Sequence, residues 1–183
     1  MRRLFLGLGI ALGLASGQPD PSIVAHALMV GDFIVVDLRI DDAFAAGAVE
    51  LIDTGTRVAL RYSARLETAG GRSIEASETR ALWYDMRSSR YGVSSGGEKA
   101  GDLVDPQAAR IFVSELRALE LCRAADAREG GRIVAKAEIG ILDSRGEWHD
   151  APVLWNYYAP RAVLALEPLG PAAATTAPAA GER

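Results

Sequence analysis

The sequence predicts a mainly β protein, an antiparallel β-sandwich of about seven or eight strands with one short and one long helix inserted. Three observations support this fold class. Apolar and polar residues alternate over several segments, as they do when one face of a strand is buried. Turn residues separate the segments, and strands and helices do not alternate regularly, which disfavours a doubly wound parallel sheet. With 183 residues and 49% hydrophobic content, the chain can bury a core of its own.

The clearest strand runs from Arg57 to Leu66. Its apolar residues fall on every second position and predict a buried face, whereas Arg57, Arg61 and Arg65 fall on the opposite, exposed face. A second strictly alternating run spans 132–142. The predicted strands are 22–30, 33–40, 57–66, 72–86, 91–94, 132–142, 153–158 and 162–166.

A short helix is predicted over 43–53. Asp41 and Asp42 precede it and are residue types that cap helix N-termini, while Gly55 follows it and can adopt the left-handed conformation that ends a helix. These signals place the helix between the second and third strands.

A long helix is predicted to start at Pro106, with Asp105 as its N-cap, and to reach about residue 125. Its apolar stripe should lie against a sheet. The stripe consists of Phe112, Leu116, Leu119 and Cys122. Cys122 is therefore expected to be a buried, inert thiol, and the alternative is an exposed thiol that links two chains.

The two ends of the chain are not predicted to belong to the fold. Two arginines, Arg2 and Arg3, precede an apolar run from Leu4 to Ala15, and a small-residue cleavage pattern follows and ends at Gly17. This order is typical of a secretory signal peptide. The protein is therefore expected to be exported, to the periplasm or outside the cell. The predicted division is signal peptide 1–17, β-sandwich domain 18–167 and disordered Ala/Pro-rich tail 168–183.

Composition excludes several function classes. The 24 acidic and 20 basic residues give a net charge of -4, which argues against a nucleic-acid partner. The single cysteine excludes an internal disulfide, a Cys-x-x-Cys redox pair and a thiolate zinc site, and His26 and His149 are too few for a histidine-rich metal cage. No cofactor and no metal are expected.

The order of the motifs resembles an exported bacterial family catalogued as domain of unknown function 4390. The matching stretches are Asp42-Ala43-Phe44 to Gly55, Leu82-Trp83-Tyr84-Asp85, Tyr91-Gly92-Val93, the helix from Asp105, the strand from Arg132, and Leu154 to Arg161. The resemblance covers about residues 22–166 and implies an envelope-facing, non-catalytic β-rich domain. It implies no ligand and no catalytic residue.

A catalytic alternative rests on Gly92 to Gly96, which matches the Gly-x-Ser-x-Gly nucleophile elbow of serine hydrolases. Ser94 would be the nucleophile, His149 its base and Asp143 the residue that orients the histidine. The elbow requires an amphipathic helix directly after the serine, whereas a glycine-rich loop is predicted over 95–102. A flexible loop is therefore the favoured interpretation.

Arg57, Arg61 and Arg65 form the arginine stripe. Guanidinium groups bind carboxylates and phosphates, so one interpretation is a site for lipid headgroups, a polyanionic glycan or an acidic partner. Cross-strand pairing with exposed carboxylates such as Glu75 or Glu138 is the favoured interpretation.

Aromatic residues are dense between 148 and 158. Trp155, Tyr157 and Tyr158 are candidate ligand-binding residues, because such side chains form sugar or peptide platforms, but packing at one end of the core is the favoured interpretation. Asp37, Asp41 and Asp42 could chelate a hard cation, but no calcium-loop spacing is present, and capping and solvation are the favoured explanation.

These patterns together favour a non-catalytic binding or interaction module of the bacterial envelope. Its partner would be an envelope protein, a glycan or a lipid. The serine hydrolase and the anion-binding stripe remain the alternatives.

Overall fold

A computed structural model of the chain describes residues 20–168 and shows two antiparallel sheets and two helices. The mainly β prediction is confirmed. The elements in chain order are β1 Ser22–Val30, β2 Phe33–Asp41, α1 Ala46–Asp53, β3 Arg57–Thr68, β4 Ser73–Asp85, β5 Arg90–Ser95, β6 Glu98–Leu103, α2 Pro106–Ser114, β7 Glu115–Arg123, β8 Gly131–Leu142, β9 Trp148–Asp150 and β10 Arg161–Leu166.

The small sheet has the order β1-β2-β7, and the large, seven-stranded sheet has the order β10-β8-β3-β4-β5-β6. β9 pairs with the same edge of β8 as β10, but at the other end of the strand. The inner faces of both sheets contribute to one hydrophobic core. Central strand β3 supplies Val58, Leu60, Tyr62, Ala64 and Leu66, all at 0% exposure.

Helix α2 is joined to the large sheet by two inward-facing side chains of that sheet. The Tyr62 hydroxyl donates a hydrogen bond to the Val113 carbonyl at 2.7 Å. Arg80 donates to the carbonyls of Phe112 and Glu115 at 2.9 and 2.5 Å. Because the last carbonyls of a helix have no partner within the helix, these bonds satisfy the end of α2. Burial also raises the pKa of the Tyr62 hydroxyl far above its ordinary value.

The predicted long helix is wrong in its second half, because α2 ends at Ser114 and the chain continues as strand β7. β7 pairs with β2 through two register shifts, so that the buried Leu116 and Leu119 lie three residues apart. A three-residue spacing of apolar residues imitates a helix in the sequence. At one shift Ala118 adopts a φ of 56°, and its N–H donates to the Asp37 carboxylate at 2.7 Å.

Other elements also differ from the sequence prediction. The glycine-rich loop over 95–102 contains most of strand β6, β7 and β9 are also additional strands, and one predicted strand is absent, so the described residues form ten strands rather than seven or eight. Helix α1 has Ala45 as its N-cap and no capping side chain, so Asp41 and Asp42 do not cap it. The predicted strand over 153–158 is a short 3-10 helix, Pro152–Trp155, followed by a turn.

Strand β4 extends beyond its neighbour β5. The pairing of β4 with β5 ends at the hydrogen bond from the Gly96 N–H to the Thr79 carbonyl, at 3.0 Å. Within the described part of the chain, β4 from Ser73 to Glu78 therefore pairs with β3 alone and leaves one strand edge open.

The predicted signal peptide, 1–17, lies outside the described residues, as does all of the predicted tail after Pro168. Among residues 20–168, neither helix has the length and apolar character needed to cross a bilayer.

The bond from Tyr62 to α2 generates a test of the fold. In Tyr62→Phe the buried Val113 carbonyl loses its donor, and we expect the free energy of unfolding to fall by about 1–2 kcal/mol. Urea unfolding followed by circular dichroism measures the change. Tyr157→Phe removes the same atom at an exposed position and should leave stability unchanged; equal stability of the two variants would contradict the role of this bond.

Candidate functional site

The arginine stripe lies on the outer face of the large sheet, the face that points away from the core. Arg57, Arg61 and Arg65 alternate along β3 with fully buried residues. The side chains of Arg61 and Arg65 are 36% and 39% exposed. The sequence prediction that the three arginines share a solvent-exposed face is therefore confirmed.

Tryptophan rings fix two of these arginines in place. The guanidinium carbon of Arg57 lies 4.8 Å from the centre of the Trp83 ring, and that of Arg61 lies 4.0 Å from the centre of the Trp148 ring. Such stacking restricts the rotamers of a long side chain and leaves its in-plane N–H groups available to donate. Arg61 therefore presents an ordered cation.

Two glycines leave the space that these tryptophans occupy. A Cβ atom at Gly140 would lie 2.5 Å from the Trp148 ring, and a Cβ atom at Gly92 would overlap the Trp83 ring. The rings thus cover the sheet backbone, and Ala59, which lies between Arg57 and Arg61 on the same outer face, has no exposed area. Glycine at these two positions is a requirement of the Arg–Trp stacks.

Carboxylates neutralise part of the stripe. Arg61 pairs with Glu138, directly opposite on β8, at 3.7 Å. Arg65 lies opposite Glu75 on β4, but its ion pair is with Glu67, at 3.3 Å. Cross-strand pairing therefore accounts for Arg61 but not for Arg65.

Glu67 is held by two arginines of this face. Arg132 donates to its carboxylate at 2.5 Å, and Arg65 pairs with its second oxygen. The hydrogen bond from Arg132 is the main reason that the pKa of Glu67 lies below its ordinary range. Glu67 thus occupies the position that a ligand anion would take between these two cations.

Two exposed cations on the same face have no carboxylate partner. Lys136 of β8 and Arg161 of β10 are directly opposite each other in the strand register. Within residues 20–168 neither side chain forms an ion pair, and like charges opposite each other destabilise a sheet. Sequence reasoning missed both residues. The alternation of β8 could have placed Lys136 on the exposed face, but the position of Arg161 depends on a register that only the structure gives.

Two depressions lie on this outer face. The first has a volume of about 590 Å³, its lining includes Arg61, Trp148, Ser77 and Thr79, and it reaches around the edge of β4 to the Glu78 carboxylate. The second has a volume of about 660 Å³. Its lining includes Arg65, Glu67, Arg72, Ser73 and Arg132. Each depression thus contains one arginine of the stripe.

The three aromatic candidates do not form one platform. Trp155 is 2% exposed, and its indole N–H donates to the Ala43 carbonyl at 2.8 Å, so it belongs to the core. Tyr157 and Tyr158 are 76% and 47% exposed. Asn156 and Tyr157 both have positive φ angles, which place the two tyrosines on a tight surface turn. The favoured interpretation, packing at one end of the core, is therefore confirmed for Trp155, and its buried ring excludes it from a ligand site.

The structure does not bring the hydrolase triad together. Ser94 lies on β5 and His149 on β9, and β4, β3 and β8 separate these strands, which corresponds to about 19 Å at the usual strand spacing. The register also places the side chains on opposite faces of the sheet. Asp143 and His149 are neighbours at 3.7 Å, but Ser94 does not join them.

Other candidate residues serve the fold. Asp37 binds the Ala118 N–H and Asp41 pairs with Arg39 at 2.9 Å, so the two carboxylates have local partners. Cys122 is on β7 rather than on a helix, but it is buried, and this burial raises the pKa of its thiol. The expectation of a buried thiol is confirmed.

Asp143, Glu147 and His149 form an exposed group of metal-ligating residue types, with ligand atoms within 4.8 Å of one another. One Asp143 oxygen accepts the backbone N–H groups of Arg145 and Glu147 in the turn between β8 and β9. The bond from Glu147 is the main reason that the pKa of Asp143 is lowered. This carboxylate therefore already stabilises the turn.

Comparison of the chain with protein-family models, with curated proteins and with solved structures finds no match. The resemblance to domain of unknown function 4390 stays a prediction.

The packing of Trp148 over Gly140 generates a test of the site. In Gly140→Ala the new methyl group displaces the ring, and we expect the Arg61 stack to be lost, with a destabilisation of about 1–3 kcal/mol. Near-ultraviolet circular dichroism and urea unfolding measure the two effects. Gly101→Ala is the matched control, because no atom lies within 4 Å of the added carbon there; an unchanged tryptophan spectrum in Gly140→Ala would contradict the packing.

Proposed function

We propose that the chain is a non-catalytic binding module of the bacterial envelope and that it binds an anionic ligand on the outer face of the large sheet. The observation that carries the proposal is the placement of the two depressions, because each contains one ordered or paired arginine of the stripe. Export is inferred from the pattern at residues 1–17 and is part of the same proposal.

The distribution of charge supports an anionic ligand. The chain as a whole is acidic, with a net charge of -4, yet cations outnumber carboxylates on the outer faces of β3, β4, β8 and β10. The cations there are Arg57, Arg61, Arg65, Arg132, Lys136 and Arg161, and the carboxylates are Glu67, Glu75, Asp85 and Glu138. A basic face on an acidic protein attracts anions selectively to that face.

The order of the side chains supports binding as well. A flexible arginine loses rotamer entropy when it binds an anion, whereas the Arg61 guanidinium is already stacked on Trp148. The neighbouring hydroxyls of Ser77 and Thr79 line the same depression and can donate to a ligand oxygen. Preorganised donors of this kind favour recognition of an oxyanion.

Removal of the stripe tests the proposal. We expect the purified protein to bind at least one of dextran sulfate and phosphatidylglycerol vesicles, and to bind neither uncharged dextran nor phosphatidylcholine vesicles. The triple variant Arg57→Ala, Arg61→Ala, Arg65→Ala should bind at least tenfold more weakly, because three cations leave the face. Isothermal titration calorimetry at several salt concentrations measures the affinity.

The matched control removes three exposed arginines from other surfaces. Arg87→Ala, Arg117→Ala, Arg123→Ala changes the net charge equally, and its affinity should stay within about twofold of that of the unaltered protein. Absence of binding to both anionic probes, or equal loss of binding in the two triple variants, would count against the proposal.

A further inference from the structure

We infer that the ligand is a linear acidic polysaccharide, which lies along β3 with its carboxylates or sulfates on successive cations of the outer face. The inference rests on the proposed function and specifies its ligand class. It depends on four features of this face: the spacing of the cations, the hydroxyls between them, the tryptophan rings that arginines already cover, and the position of Glu67.

The cations form a track parallel to β3. Arg57, Arg61 and Arg65 are four residues apart, which corresponds to about 13 Å along a strand. Lys136 lies beside Ser63, between Arg61 and Arg65, and Arg132 lies beside Glu67, beyond Arg65. The track therefore extends for about 33 Å, the length of ten residues of extended strand. A single phosphate group occupies only a small part of such a track, whereas an extended polymer chain can occupy all of it.

Hydroxyl groups fill the intervals between the cations. Ser63 of β3 and Ser77 of β4 are directly opposite each other, and Ser73 is opposite Glu67. Ser73 and Ser77 are exposed and line the second and first depressions respectively. A polysaccharide presents hydroxyls between its charged groups, so its pattern of charge and hydrogen bonding matches that of this face.

Other polyanions fit the face less well. Single-stranded nucleic acids bind through bases stacked on aromatic rings, but arginines already cover Trp83 and Trp148 on this face. A membrane surface is bound through protruding apolar side chains together with cations. Within residues 20–168 the exposed apolar cluster Leu28, Met29 and Val30 lies on β1 of the small sheet. The outer face itself exposes Val163, beside Arg161 on β10, and a single valine offers a bilayer little apolar area.

Glu67 provides the sharpest test, because it competes with the ligand. Its carboxylate holds Arg65 and Arg132, and a ligand carboxylate must displace it to reach them. In Glu67→Gln these two arginines lose their internal anion, and we expect polygalacturonate to bind three- to tenfold more tightly. A residue with a purely structural role would not produce a gain in affinity when it is altered.

The experiment measures binding of the full chain to polygalacturonate, to its methyl ester, to phosphatidylglycerol vesicles and to oligothymidylate. We expect binding to the first probe only, with an affinity that rises along a ladder of oligogalacturonides of increasing length. Glu50→Gln is the control for Glu67→Gln, since it makes the same charge change on the exposed face of α1, and it should bind like the unaltered protein.

A second variant tests the track outside the stripe. Lys136→Ala, Arg161→Ala should bind polygalacturonate at least tenfold more weakly and should reduce the slope of log affinity against log salt by about 2. Both side chains are exposed and make no ion pair in the described part of the chain, so the double variant is expected to fold like the unaltered protein, as thermal unfolding will verify.

Several results would overturn the inference and leave the proposed function standing. They are binding to vesicles without binding to polygalacturonate or dextran sulfate, equal binding of the methyl ester, an affinity that does not depend on oligosaccharide length, and no gain in Glu67→Gln. Absence of binding to every anionic probe would overturn the inference and the proposed function together.

Discussion

The strict alternation of β3 is the constraint on which the rest of the structure depends. β3 is paired along its length with β4 on one side and β8 on the other, so its backbone donors and acceptors are used within the sheet and its side chains can point only to the two faces. Every core-facing side chain from Val58 to Leu66 is completely buried. A one-residue slip would exchange this apolar set for the arginines, so burial of the core also fixes the position of the stripe.

The segments that sequence reasoning predicted correctly are those in which the two-residue period is uninterrupted. In β2, β3 and β8 the alternation is local, and the residues alone predict which face is buried. The sequence of β7 predicts a helix because two register shifts change the spacing between its buried residues. Such shifts are β-bulges, which depend on the partner strand and cannot be read from the segment itself. β6 and β9 were missed because short polar strands are determined mainly by the neighbours with which they pair.

The candidate site likewise contains features that the sequence predicts and features that only the structure gives. The common face of Arg57, Arg61 and Arg65 follows from their spacing on one strand, so it was predictable. The meeting of Lys136 with Arg161 depends on the register between two strands, and the fit of Trp148 over Gly140 depends on a short hairpin. For Trp155 the sequence left a core position and an exposed platform open, because an indole suits both, and only the position of its partner, the Ala43 carbonyl, distinguishes the two.

The open edge of β4 has a consequence for how the protein behaves at high concentration. Unpaired strand edges are templates on which a second chain can add a strand, and the usual protection is a charged side chain on or next to the edge. Here Glu75 projects from the outer face, and Glu78 is held on the inner side by Arg80 and Ser95. Arg80 offsets the charge of Glu78 at 3.0 Å, so Glu75 is the carboxylate that would repel an identical edge, and protection of this short stretch from strand addition depends on that one side chain.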